Sequence, residues 1–252
     1  MTVLKNQEDL KLMRPACRTA ALVLEDIGRM IRPGLSTAQV DSFAAERIQI
    51  YGGRSAFLGY RNYPCSVCLS VNDEVVHGLS GSRILSFGDV LSVDCGVVLN
   101  GFIGDTARTF AVGGCSPEAQ RLMEVTCHSL DEGIRACYKG NRVVDISRAI
   151  QNFVESHGFS VVREFVGHGV GRALHEEPQI PNYVEKGPSP KLIPGMTLAI
   201  EPMVNAGRPE IKFLRDGWTV KTRDGSLSSH FEHTVLVTEG PPEVLTFLDH
   251  GR

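Results

Sequence analysis

The stretch Leu85-Ser-Phe-Gly88-Asp-Val-Leu91-Ser-Val93-Asp94 recurs as Leu192-Ile-Pro-Gly195-Met-Thr-Leu198-Ala-Ile200-Glu201 at a constant offset of 107 residues, and both copies end in a carboxylate. A duplication governs architecture before any local reading, because each copy builds one structural unit. Working outward, Gly34 and Gly140 each open a helical pattern that closes at Gly52 and Gly158, at an offset of 106. Further upstream, Leu12, Met13 and Cys17 return as Leu122, Met123 and Cys127 at an offset of 110. The order is the same both times, so we read two copies of a helix-helix-strand unit, over approximately residues 8–112 and 117–238.

Val40, Phe43, Ala44 and Ile48 follow the i, i+3, i+4 spacing of a helix with one apolar face, and Ile146, Ile150, Phe153 and Val154 do so approximately. Ser36 or Thr37 is expected to cap the first of these helices, Asp145 or Asn141 the second. Residues 89–99, 102–112, 196–204 and 231–238 are rich in Val, Ile, Leu and Thr and read as strands. Helices followed by strands, twice over, predict an α+β fold with helices on one face of a curved, largely antiparallel sheet. The other face is left for chemistry.

Asn100-Gly101 is a strong signal for a two-residue hairpin, since both positions tolerate the positive φ such a turn needs. If Leu99 pairs with Phe102, Gly96 lies opposite Asp105, and Asp94 shares its face by the period-two rule. Asp94 and Asp105 are then diagonal neighbours roughly 7–8 Å apart, close enough to converge on a cation between them. In the second copy Glu201 follows Leu-Ala-Ile directly, and Glu232 lies between Phe231 and His233 ahead of another apolar run. An acid that interrupts a buried strand needs a partner. Four such acids with nearby imidazoles form an oxygen and nitrogen donor set suited to Mn, Fe, Co or Zn, and bridging carboxylates favour a pair of ions.

The imidazoles come from Glu164-Phe-Val-Gly167-His168-Gly169-Val170-Gly171-Arg-Ala-Leu174-His175-Glu176-Glu177-Pro178, whose glycines let backbone approach a ligand closely, and from His77 in Val75-Val76-His77-Gly78. The other signals are negative. A net charge of -3 gives no global pull towards nucleic acid or an anionic membrane. There is no run of ~18 apolar residues to cross a bilayer. The N-terminus MTVLKNQEDLKLM is charged from Lys5 onward and lacks the apolar core of a secretory signal, so the chain is expected in the cytoplasm. Seven cysteines, an odd number without framework spacing, read as free thiols, Cys65 and Cys68 of the lone CxxC included.

Taken together, Val75-Val76-His77-Gly78, Val93-Asp94, Gly104-Asp105-Thr106, Gly167-His168-Gly169-Val170-Gly171, His175-Glu176-Glu177-Pro178, Ile200-Glu201-Pro202-Met203 and Phe231-Glu232-His233-Thr234 resemble the motifs of the pita-bread metallopeptidases, specifically the type 1 methionine aminopeptidases, over nearly the whole chain. The resemblance implies a single catalytic domain over residues 1–252 that removes the initiator methionine from nascent polypeptides, preferring a small second residue, by attack of a metal-bound hydroxide on the first peptide bond. It implies two divalent ions (Co, Mn, Fe or Zn) held by Asp94, Asp105, His168, Glu201 and Glu232, with Asp105 and Glu232 bridging. Glu201 would share in proton transfer, and His77 and His175 would contact the substrate and steady the developing oxyanion.

The methionine pocket would be Phe57, Tyr60, Tyr63, Cys68, Leu174 and Trp218. Phe57 stands where bacterial relatives often carry a small or thiol side chain, Leu174 where they carry an aromatic one, and His230 where glutamine is common. Asn72 and Ser228 lie where relatives can hold a monovalent cation. Thr2 is small, so Met1 itself fits the family's rule. The partners implied are nascent N-termini at the ribosome, with no nucleic acid or membrane, and the chain is expected to be monomeric. Two rival readings are a proline-specific aminopeptidase with the same ligands and a non-catalytic pita-bread binding protein.

Overall fold

The computed structural model describes residues 3–249; Met1 and Thr2 lie outside them. The first half runs α1 (Gln7–Met30), α2 (Thr37–Ile50), β1 (Arg54–Ser55), β2 (Cys68–Val71), β3 (Glu74–Val76), β4 (Val90–Leu99) and β5 (Phe102–Ala111). The second runs α3 (Pro117–Arg135), α4 (Val143–Ser156), β6 (Ser160–Val161), β7 (Gly167–Gly169), β8 (Glu176–Ile180) and β9 (Thr197–Ile200). It continues through β10 (Met203–Asn205), β11 (Ile211–Phe213), β12 (Val220–Thr222), β13 (Ser228–His230), β14 (Glu232–Leu236) and β15 (Glu243–Val244). The main sheet has the order β1-β4-β5-β14-β9-β7-β8, with β2 also on β4 and β15 on β14, and its pairings are antiparallel.

Helices cover one face. Val93, Cys95 and Val97 of β4 are fully buried in one cluster with Val23, Ile27, Val40 and Ile48 of α1 and α2. In the second half Leu198, Ile200 and Val235 are buried with Leu122, Val125, Ile146 and Ile150 of α3 and α4. Each fully buried aliphatic side chain contributes about 1.5–3 kcal/mol, so these layers fix the sheet and leave its far side free to carry polar groups.

The duplication persists at the level of single hydrogen bonds. Gly34 N–H donates to the Leu85 carbonyl at 2.8 Å, and Gly140 N–H to that of Leu192 at 3.1 Å. Gly34 and Gly140 both have φ 90, and Gly88 and Gly195 have φ 96 and φ 92, values that an L side chain rarely adopts. The halves meet where β5 pairs with β14, Ala107 opposite Glu232 and Thr106 opposite His233.

They differ after their first acid. β4 passes straight into β5 through Asn100 and Gly101, both at positive φ. The chain leaving β9 instead makes an excursion through residues 201–231 before returning as β14. That excursion builds two three-stranded sheets, β13-β10-β6 and β11-β12-β3. The strand expected over 196–204 is therefore broken at Glu201-Pro202, and Met203–Asn205 pairs with β13 and β6 instead. Pro202 has no N–H to give to a ladder. Ser36 caps α2, its hydroxyl accepting from Gln39 N–H at 3.1 Å. The cap of α4 is Arg142, one residue beyond the expected Asn141, while Asp145 sits in the first turn and accepts from Arg142 N–H at 2.8 Å.

Candidate metal centre and its cavity

The Asn100-Gly101 turn sets Leu99 opposite Phe102, hence Gly96 opposite Asp105 and Asp94 opposite Ala107. Ala107 in turn lies opposite Glu232, and Ile200, the residue before Glu201, opposite His233. Asp94, Ala107, Glu232 and Glu201 thus form a row across four neighbouring strands. The adjacent row on the same face holds Asp105 and, through Ala199, His168. Strand periodicity aims all five side chains away from the helices.

The donor atoms of Asp105, His168 and Glu232 all lie within 4.8 Å of one another. His168 Nε2 is 3.3 Å from Glu201 Oε1 and 3.9 Å from Asp105 Oδ2. Asp94 Oδ1, Asp105 Oδ1 and Glu232 Oε1 are buried without a hydrogen-bond donor. Burial pushes every one of these acids up, Asp105 to about 7 and the other three well above their ordinary values, with repulsion from Asp105 adding to it at Asp94, from Asp94 and Asp105 at Glu201, and from Asp105, Glu201 and Asp94 at Glu232.

Burial lowers His168 to about 3, so its ring is neutral. Its Nδ1 lies 2.9 Å from the Gly169 carbonyl, which only accepts, so Nδ1 carries the proton and Nε2 presents a lone pair to the acids. Unpaired carboxylate oxygens facing a fixed imidazole lone pair lack one thing, a cation. The residues present fit a divalent metal.

Above this floor is a cavity of about 240 Å³ lined by all thirteen residues expected from the sequence to hold metal or contact substrate. Burial lowers His77 to about 4, and its ring meets the edges of Phe165 at 5.1 Å and Trp218 at 6.2 Å between centroids. His175 is lowered too, by burial and then by Arg61; its Nδ1 is 2.8 Å from the Tyr60 hydroxyl and its ring 4.3 Å from that of His168. Both imidazoles are uncharged at neutral pH. Tyr63 donates to the Gly78 carbonyl at 2.8 Å and meets Trp218 edge-on at 5.0 Å. Phe57, Cys68 and Leu174 are buried and complete an apolar wall.

Five lining residues escaped the sequence reading: Arg61, Val76, Phe165, Val166 and Met203. Val76, Phe165, Val166 and Met203 all stood inside quoted segments; nearness to the singled-out histidines and acids was the available signal. Arg61 had none. His230 is buried, with an unpartnered Nε2 3.7 Å from Glu201 Oε2. Asn72 Nδ2 donates to Asp89 at 2.8 Å and Ser228 Oγ to Asn205 at 2.9 Å. All seven cysteines are free.

The model of metallopeptidase family M24 matches residues 11–239. A methionine aminopeptidase of Clostridium perfringens is 49% identical over 248 residues, covering 98% of this chain and 100% of that one. The crystal structure of methionine aminopeptidase from Rickettsia prowazekii superposes with TM-score 0.96 at 38% identity, over 98% of this chain and 100% of that chain. A prolidase from Pyrococcus furiosus, with TM-score 0.81 at 20% identity and 66% of its length covered, shares the fold.

A cation site astride two pseudo-symmetric halves, in this pita-bread fold, is that of a metallopeptidase, and the chain belongs to family M24. Within it, the chain falls among the type 1 methionine aminopeptidases.

Proposed function

We propose that the chain removes the initiator methionine from newly made polypeptides in the cytoplasm, as a monomer acting at the ribosome, with two divalent ions held by Asp94, Asp105, His168, Glu201 and Glu232. The observation that carries the reading is the junction of two things in one cavity: a floor of unpaired acid oxygens and a wall of Phe57, Tyr63, Cys68, Leu174 and Trp218. The wall suits an unbranched thioether. The floor suits cations, which when bound polarise a peptide carbonyl and lower the pKa of water.

The chain's own groups do the rest. The apolar wall seats the methionine side chain and excludes water from the bond to be cut. Glu201, deprotonated when a cation is held beside it, takes the proton of the attacking water on a carboxylate oxygen and returns it to the departing amine. His77 and His175, both neutral, donate N–H to the substrate carbonyl as negative charge develops there. Tyr60 fixes the His175 ring through Nδ1.

The test is a peptide panel run on apo-protein reloaded separately with Mn, Fe, Co and Zn. Release of methionine from Met-Ala and Met-Gly peptides is expected; preferential cleavage before proline would overturn the assignment. Metal bound at two ions per chain is expected by elemental analysis, and no stoichiometric binding with any of the four would favour a binding protein instead.

A further inference from the structure

One small sheet connects the cavity to the protein surface. In β3-β12-β11, Val76 pairs with Val220 and Val220 with Phe213, so the three share a face. Val76 lines the cavity and is 5% exposed, Val220 is 0% exposed, and Phe213 on the outer strand is 65% exposed. Val76, Val220 and Ile211 are buried in one cluster with Met203, and Phe165 packs against that cluster. Phe165 is a cavity wall whose ring lies 5.1 Å from that of His77 and 6.0 Å from that of Phe213. Isolated exposed apolar side chains are ordinary on a protein surface. Phe213 is distinguished by continuity, being the outer end of an unbroken aromatic path that begins at a substrate-facing histidine.

We infer that Phe213, backed by Phe165, is a subsite for an apolar side chain three to four residues into the polypeptide substrate. The two ring steps put Phe213 within about 11 Å of His77, a span that about three extended residues cover at roughly 3.3–3.6 Å each. Methionine occupies the cavity and the second residue passes the histidines, so the side chain that reaches the rim is the third or fourth. Covering an exposed aromatic ring removes apolar area from water, and this contribution is made equally to ground and transition states. The subsite therefore acts on KM.

The inference rests on the aminopeptidase reading, and its test separates the two. Metal-loaded wild type, Phe213→Ala and Phe213→Trp are compared on Met-Ala-Ser-Ser and Met-Ala-Leu-Leu. Wild type is expected to favour the Leu-Leu peptide about five- to tenfold in kcat/KM, through KM. Phe213→Ala should abolish that preference while cleaving Met-Ala-Ser-Ser as wild type does, and Phe213→Trp should keep it. An unchanged preference in Phe213→Ala, or an equal loss on both peptides, overturns the subsite. Failure of wild type to release methionine from either peptide overturns the functional reading, and the subsite with it.

Discussion

Gly96 lies directly opposite Asp105 across the β4-β5 ladder, and the ring of Phe57 occupies the space that a side chain at position 96 would need. A Cβ there would sit 2.5 Å from Phe57 Cε1 and 2.9 Å from Cζ. Because the obstacle is a ring, Gly96→Ala is expected to fold and to push Phe57 into the cavity proposed to seat methionine. KM for methionyl peptides should rise roughly tenfold or more. Gly104 provides the contrast, since a Cβ there would lie 2.3 Å from Cys17 Cα, which is helix backbone. Gly104→Ala should cost about 3 kcal/mol or more of stability. Thermal melts alongside steady-state kinetics separate the two effects; equal stability loss in both variants would contradict this account.

Stability of the apo-protein should fall as pH rises above about 6.5. Asp105, raised to about 7, and the other three acids, raised well above their ordinary values, bind more protons folded than unfolded, so each loses its contribution as pH climbs through its folded value. Buried His77, His168, His230 and His233 are lowered to about 4, 3, 3 and 4, so they act in the opposite sense, below about 6.5 only. Cation binding deprotonates the acids. The gap in Tm between metal-loaded and apo-protein is therefore expected to widen from pH 6.5 to 8. A gap that narrows over that interval would refute it.

Glu201→Ala should abolish turnover. Tyr60→Phe removes the hydroxyl that stands 2.8 Å from His175 Nδ1 and leaves the ring in place. The loss of about 1 kcal/mol should appear as a five- to tenfold drop in kcat with KM little changed. A shift confined to KM would assign Tyr60 to the pocket wall alone.

Lys5 and Glu176 form an ion pair whose side chains are 2% and 9% exposed. Glu176 Oε1 also accepts from Arg172 N–H at 2.9 Å, so the pair ties the segment before α1 to the loop that carries His175. Lys5→Met leaves a buried carboxylate uncompensated and should cost roughly 3–5 kcal/mol. Adding Glu176→Gln should restore part of it. A double variant no better than the single one, by denaturant titration, would show that packing rather than charge sets the cost.

The parts of the molecule legible from sequence were those with local causes. Asn100-Gly101 dictates its own turn, and from that turn the register, the pairing of Gly96 with Asp105 and the face shared with Asp94 all follow. The repeat was legible because Gly88 and Gly195, and Gly34 and Gly140, answer the same backbone demand. The excursion between β9 and β14 was not, because its strands are three residues long and pair with remote partners such as β3 and β6. Arg61 enters the cavity from a turn with φ 48, and nothing in its neighbours announces that conformation. Roles for His77 and His175 came by resemblance, since a histidine's partners are set by tertiary packing.

The proposed donor set is divided between the halves: Asp94 and Asp105 come from the first, His168, Glu201 and Glu232 from the second. Thr234 spans the join, its hydroxyl accepting from Asp105 N–H at 3.2 Å and donating to the Asp105 carbonyl at 2.8 Å. On that assignment neither repeat would supply a complete set of ligands. Affinity for the ion is thereby a gauge of how well the two repeats are docked, and any lesion along the β5-β14 seam, however far from a donor atom, will register first as a leak of metal.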